Sequence, residues 1–171
     1  MKQKTQLRHA SMDDYERIEA LYKKIMKDLD ARTNYPVWHW GIHPDRDMIL
    51  AGIECRQQYL WLYQGQLAGT ALINRTLEEA GDAAFKGTHY AVIHLLGMDP
   101  ALSGKGLADA FLEAILQEKK KEGCTSFRLS IVTGNWPAKN LYLRHGFETI
   151  GTSSIMEAGA PLCFELMEKI M

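Results

Sequence analysis

The stretch from Tyr90 to Val132 limits what this chain can fold into more than any other part of it. Tyr90–Met98 is an almost unbroken apolar run of strand length. Pro100, Gly104 and Gly106 then interrupt the chain, after which Leu107, Ala108, Phe111, Leu112, Ile115 and Leu116 recur at the 3.6-residue helical period. Lys119, Lys120 and Lys121 suit the negative end of that helix, Gly123 stops it, and Phe127–Val132 reads as a second buried strand. Strand, amphipathic helix and strand in succession form a β-α-β unit, and such a crossover leaves its two strands parallel.

The rest of the chain supplies elements of both kinds around that unit. A short strand at Gln6–His9 precedes Ser11, whose Asp14 three residues on marks a helix start, and apolar residues from Tyr15 to Leu29 then predict a helix over about Met12–Lys27. Pro36 and Pro44 bound a loop holding Trp38, His39 and Trp40, with Tyr35 at its edge, and a second helix is expected over Asp45–Cys55. Tyr59–Tyr63 and Leu67–Ile73 are β-rich runs joined by Gln64-Gly65-Gln66, a hairpin signal. From Arg75 to Gly87 the chain is polar and reads as a mobile connection. A short helix at Ala138–Arg144 and a closing strand pair, Phe147–Ile155 with Leu162–Met167, complete the order. The expected fold class is therefore α/β of the α+β type, a mostly antiparallel mixed sheet with one parallel pair, in a single domain over residues 1–171.

Charge and cysteine content exclude several functions. Twenty Lys and Arg against 21 Asp and Glu leave no positive field for a nucleic acid. Cys55, Cys124 and Cys163 are too far apart for a metal or redox pair, which points to a reducing cytoplasm and to no metal site. No stretch is long and apolar enough to be read as a membrane span, and the start of the chain carries no apolar export segment.

The segment Ser103-Gly104-Lys105-Gly106-Leu107-Ala108 lies where a buried strand hands over to a helix. Amides at a helix start lack intrahelical acceptors, and glycines allow a phosphate to approach them. The same kind of turn also occurs with no ligand. The spacing is neither that of a nucleotide-hydrolysing loop, GxxxxGK[ST], nor that of a dinucleotide-binding GxGxxG.

One strand further on stands Asn135-Trp136-Pro137-Ala138-Lys139-Asn140-Leu141-Tyr142-Leu143-Arg144-His145-Gly146-Phe147. It resembles the N-x-x-A-x-x-L-Y-x-x-x-G-F pattern of the GNAT N-acetyltransferase superfamily at every specified position. The glycine turn resembles that family's [QR]-x-x-G-x-[GA], with Gly106 and Ala108 matching and Ser103 in place of Gln or Arg. The likeness is strong over Tyr90–Phe147, while the N-terminal elements agree in order and type.

The resemblance implies that acetyl-CoA is the acetyl donor and lies where the strands near Met98 and Ser130 splay into a V. It implies that Leu96, Gly97 and Met98 pair with the pantetheine arm through their backbone. The pyrophosphate would be held by Ser103, Gly104, Lys105, Gly106, Leu107, Ala108 and Asp109, and Asn135 and Asn140 would bind the pantetheine arm. Tyr142 matches the family's general acid, which protonates the departing thiolate; read alone it is a core tyrosine on a short helix. Ser130 stands where some members carry an acidic base, leaving His94 as the candidate base, or equally a strand histidine held by its neighbours.

The expected function is thus transfer of an acetyl group to a primary amine in a ternary complex, with a small-molecule acceptor favoured over a protein one. Tyr35, Trp38, His39, Trp40 and Trp61 offer an aromatic wall for an apolar or cationic amine, although any one of these rings taken singly more readily fills core or a dimer contact. A homodimer is compatible with the family, and a degenerate acyl-CoA-binding sensor is the alternative. Neither nucleic acid nor membrane is an expected partner.

Overall fold

Strands and helices alternate along the chain in the computed structural model, which describes residues 4–171, as the strand and helix periods of those residues predict. The strands are β1 (Thr5–His9), β2 (Gln58–Tyr63), β3 (Gln66–Asn74), β4 (Tyr90–Met98), β5 (Ser126–Val132), β6 (Glu148–Glu157) and β7 (Ala160–Ile170). The helices are α1 (Tyr15–Ala31), α2 (Arg46–Glu54), α3 (Leu107–Lys121) and α4 (Trp136–Arg144). Hydrogen-bonded strand order is β1-β2-β3-β4-β5-β7-β6, a mixed sheet in which β4 and β5 pair in parallel. Two compact units divide the chain: residues up to Ile73 with Leu95–Ile115, and Asn74–His94 with Leu116–Met171. Both β4 and α3 contribute to each.

In the first unit, α1 buries Tyr15, Ile18, Leu21, Tyr22, Ile25 and Met26, residues three and four apart that share one helix face. They pack with Ile49 and Ile53 of α2, Leu60 of β2 and Leu95 of β4. Asp14 fixes the entry to α1. Its carboxylate accepts from Ser11 N–H at 2.8 Å and from Arg8 at 2.7 and 2.9 Å, and it also pairs with Arg17. The Arg8 hydrogen bonds hold this buried carboxyl well below the usual range, outweighing desolvation. The β2–β3 hairpin turns through Gln64 and Gly65, both with positive φ, as a two-residue hairpin requires.

In the second unit, β4 and β5 run parallel from Tyr90↔Ser126 to Val92↔Arg128, β5 pairs antiparallel with β7, and β6 and β7 form a long hairpin. The connection expected to be mobile is anchored at both ends. Glu79 O accepts from Ser153 Oγ, and Glu168, 5% exposed, accepts from Lys86 N–H and Gly87 N–H at 2.9 Å and from Ser126 Oγ at 2.8 Å. The Arg128 guanidinium lies 3.6 Å from the Tyr90 ring centroid and 4.4 Å from that of Phe85, with Nε 3.8 Å from Glu168 Oε1. The end of this segment is thus held through its backbone amides and the Phe85 ring.

Candidate functional site

The first group of candidate residues follows β4 into α3. Asp99 sets the exit from the strand: its N–H donates to Ala68 O at 2.8 Å, its carboxylate accepts from Ala101 N–H at 2.9 Å, and Lys24 of α1 pairs with it at 2.7 Å. A short 3-10 turn, Pro100–Leu102, then leads to Ser103, Gly104, Lys105 and Gly106, all exposed. Gly104 and Gly106 have φ of +75° and +69°, and a Cβ built on either meets nothing within 4 Å. The first α3 carbonyl in the ladder is Gly106 O, which accepts from Ala110 N–H at 3.1 Å, so the amides of Leu107 and Ala108 come before any intrahelical acceptor. Asp109 is half-buried in the first turn, and Leu107 is buried. An open left-handed turn running into a 15-residue helix fits a pyrophosphate.

Within β4 itself, Leu96, Gly97 and Met98 alternate half-buried, buried and half-buried. Leu95 breaks the strand geometry with φ +51°, a conformation that costs a leucine about 1–2 kcal/mol. Its carbonyl accepts from the buried Tyr22 hydroxyl at 2.8 Å. Gly97 faces the aromatic loop: a Cβ there would come within 2.8 Å of Ile25 Cδ1 and 3.4 Å of Trp38. Trp38 is fixed by Asn34, which accepts from its N–H at 3.0 Å and donates to its carbonyl at 2.9 Å. Trp40 holds Lys23 at 5.4 Å from its ring centroid, and Tyr35 is exposed. Trp61, expected in the same wall, is a core residue, 4% exposed and stacked on Phe111 at 5.5 Å.

The second group lies in the other unit. His94 Nε2 is 2.8 Å from Asn74 Oδ1 and 2.9 Å from Thr76 O. A backbone carbonyl only accepts, and Asn74 Oδ1 also accepts from Thr76 N–H at 2.9 Å, so Nε2 carries a proton and donates. Asn74 and Thr76 were not singled out by the sequence, since nothing local marks a residue 20 positions away as the partner of a histidine.

Asn135 caps α4, its Oδ1 accepting from Ala138 N–H at 3.3 Å, with Pro137 in the first turn as helix starts favour. Asn140 is exposed on α4. The far end closes as a Schellman motif: Phe147 N–H donates to Tyr142 O at 3.1 Å, Gly146 N–H to Leu143 O at 3.1 Å, and Gly146 takes φ +82°. The apolar contact that accompanies such a stop is Tyr142 against Phe147, ring centroids 5.4 Å apart and edge-on. Tyr142 is buried, which pushes its hydroxyl above the ordinary tyrosine value and keeps it protonated at neutral pH. Among the described residues no cluster of three or more His, Cys, Asp or Glu is placed to hold a metal ion, and no helix is long and apolar enough to cross a membrane.

A family model described as the acetyltransferase (GNAT) family matches residues 15–147. A GNAT-family acetyltransferase from Streptococcus agalactiae has the same fold at TM-score 0.80, with 21% identity over 98% of this chain and 95% of that one. The ribosomal-protein-S18-alanine N-acetyltransferase from Escherichia coli gives 0.72, with 15% identity over 98% and 94%. The PaiA N-acetyltransferase from Thermoplasma acidophilum, in complex with coenzyme A, gives 0.70, with 15% identity over 98% and 99%. No curated protein matches the chain in sequence.

Proposed function

Because this chain belongs to the GNAT acetyltransferase family, we propose that it acetylates a primary amine from acetyl-CoA, acting over residues 1–171 as one catalytic domain. The observation that carries this reading is the open glycine turn at Gly104 and Gly106, placed where β4 gives way to α3. When bound, acetyl-CoA supplies an acetyl group activated as a thioester, with a thiol as leaving group. The amides from Gly104 to Asp109 hold its pyrophosphate, aided by the charge of Lys105 and the hydroxyl of Ser103. The backbone of Leu96, Gly97 and Met98 and the Nδ2 group of Asn135 hold the pantetheine arm, with Asn140 assisting.

Tyr142 supplies a proton to the departing sulfur, a role that its burial supports because the hydroxyl stays protonated. His94 receives the proton of the attacking amine, its ring oriented by the Nε2 hydrogen bonds to Asn74 and Thr76. The favoured acceptor is a small amine with an apolar body, supported by the Trp38 ring beside Gly97. The compartment is the reducing cytoplasm, with which three free cysteines agree.

Calorimetric titration with acetyl-CoA and with CoA tests the cofactor role whatever the acceptor, and an amine screen with wild type and Tyr142→Phe tests the chemistry. Binding by both proteins, with turnover only in wild type, is the expected outcome. Binding without turnover of any amine would move the assignment to an acyl-CoA-binding sensor, and no binding by folded protein would refute both.

A further inference from the structure

In the first unit a set of buried hydrogen bonds ends on the left-handed residue of β4. Gln58 Nε2 donates to Thr70 Oγ1 at 2.6 Å, and Thr70 Oγ1 donates to Tyr59 O at 2.8 Å. Gln58 Nε2 also lies 3.5 Å from the Tyr22 hydroxyl, which donates to Leu95 O at 2.8 Å. Tyr22, Gln58 and Thr70 are completely buried. The Tyr22 ring meets Trp38 edge-on at 5.8 Å, so its orientation is set from the aromatic loop as well as from the network. Burial raises the Tyr22 hydroxyl above the ordinary tyrosine value, and it remains a donor at neutral pH.

The bond acts on a single peptide plane. The Leu95–Leu96 peptide is trans, so Leu95 C=O and Leu96 N–H point to opposite sides of it. With Leu95 O drawn onto Tyr22 of α1, the Leu96 N–H is aimed away from α1. A leucine has no preference for φ +51° that would hold this plane by itself. The Tyr22 hydroxyl bonds its carbonyl directly and is placed to do so.

We propose that Tyr22 is a positioning residue for acetyl transfer, holding Leu95 O so that the Leu96 N–H is aimed at the thioester carbonyl. The inference rests on the acetyl-CoA reading above. Electrostatic help of this kind depends on the donor being aimed beforehand, because a peptide free to rotate loses the advantage when charge develops on the oxygen. Tyr22 is completely buried and works through the Leu95 peptide.

The test uses acetyl-CoA labelled with 13C at the thioester carbonyl, read by infrared difference spectroscopy on the full chain, beside calorimetry with CoA. In wild type the carbonyl stretch of bound ligand is expected at lower frequency than free in solution. Tyr22→Phe is expected to bind CoA with unchanged affinity and to lose most of that shift. A merely structural role would lower Tm and leave the stretch where wild type has it, and that result overturns the proposal. So does an unshifted stretch in wild type, a measurement that needs no variant to fold. Failure of wild type to bind CoA in the calorimeter would instead remove the function on which the inference stands, and the inference with it.

Discussion

Replacing Glu168 by Gln tests whether the clamp under the β3–β4 connection contributes as its geometry implies. Three donors converge on the carboxylate: Oε1 takes Gly87 N–H and Ser126 Oγ–H, and Oε2 takes Lys86 N–H. A glutamine offers one oxygen and one NH2, so in either orientation at least one backbone N–H faces another N–H. A hydrogen bond to a charged group contributes about 1.5–3 kcal/mol, and the remaining ones weaken without the charge. Arg128, side chain 15% exposed, loses its counter-charge as well. The sum is a loss of about 3 kcal/mol, roughly 6–12 °C in Tm for a chain of this size. Thermal unfolding followed by circular dichroism at pH 7 measures it, with Ser126→Ala as a smaller perturbation of about 1 kcal/mol.

The pH dependence of the same variant has a definite sign. Desolvation would raise the Glu168 carboxyl, but the amides of Lys86 and Gly87, the Ser126 hydroxyl and Arg128 outweigh it and hold the group below its ordinary value. A folded pKa below the unfolded one, near 4.3, contributes stability that is present above the unfolded value and lost as pH falls through the folded one. The gap between wild type and Glu168→Gln should therefore be constant from pH 7 to about 5 and close below about 4. A Tm loss below about 3 °C at pH 7, or a gap that does not narrow in acid, would refute the reasoning.

Three further outcomes follow from the sites. Tyr142→Phe should slow acetyl transfer by about 10²–10⁴, leaving CoA affinity and Tm close to wild type because the packing on Phe147 remains; equal rates would remove the acid role. His94→Ala should slow transfer, and a kcat/KM and steady-state pH profile identical to wild type would eliminate His94 as base. Gly106→Ala should weaken CoA binding about tenfold or more, whereas Gly159→Ala, equally left-handed at φ +81° in the β6–β7 turn, should not; matching affinities in calorimetry would count against the glycine turn as the pyrophosphate site.

What could be read from the sequence was whatever is written in local periodicity. The order β4, α3, β5 follows from apolar spacing, and the helix stop at Gly123 and the hairpin turn at Gly65 follow from backbone chemistry. Helix ends were less legible: α1 runs on to Ala31 and α4 begins at Trp136, directly after the Asn135 cap. Features that depend on a distant partner were invisible. Glu168 looks like an ordinary polar residue until its donors at Lys86 and Gly87 are seen, and for the same reason the segment they end was read as mobile. Leu95 carries no residue-type signal for a positive φ, and Trp61 could not be told from a binding-loop tryptophan until Phe111 was found stacked on it.

The Schellman stop of α4 bears on how such sequences are to be sorted. The spacing Tyr142-x-x-x-Gly146-Phe147 satisfies a helix terminus and an edge-on ring contact, and both would be met by phenylalanine at 142. Three of the six specified positions of the pattern by which this chain is grouped with its relatives, Tyr142, Gly146 and Phe147, therefore describe how a helix finishes. One oxygen atom, the phenol of Tyr142, is required by none of that packing. Chains that keep the rest of the pattern but carry phenylalanine at this position would form a separate class, and they are the place to look for proteins that retain the shape and have given up the reaction.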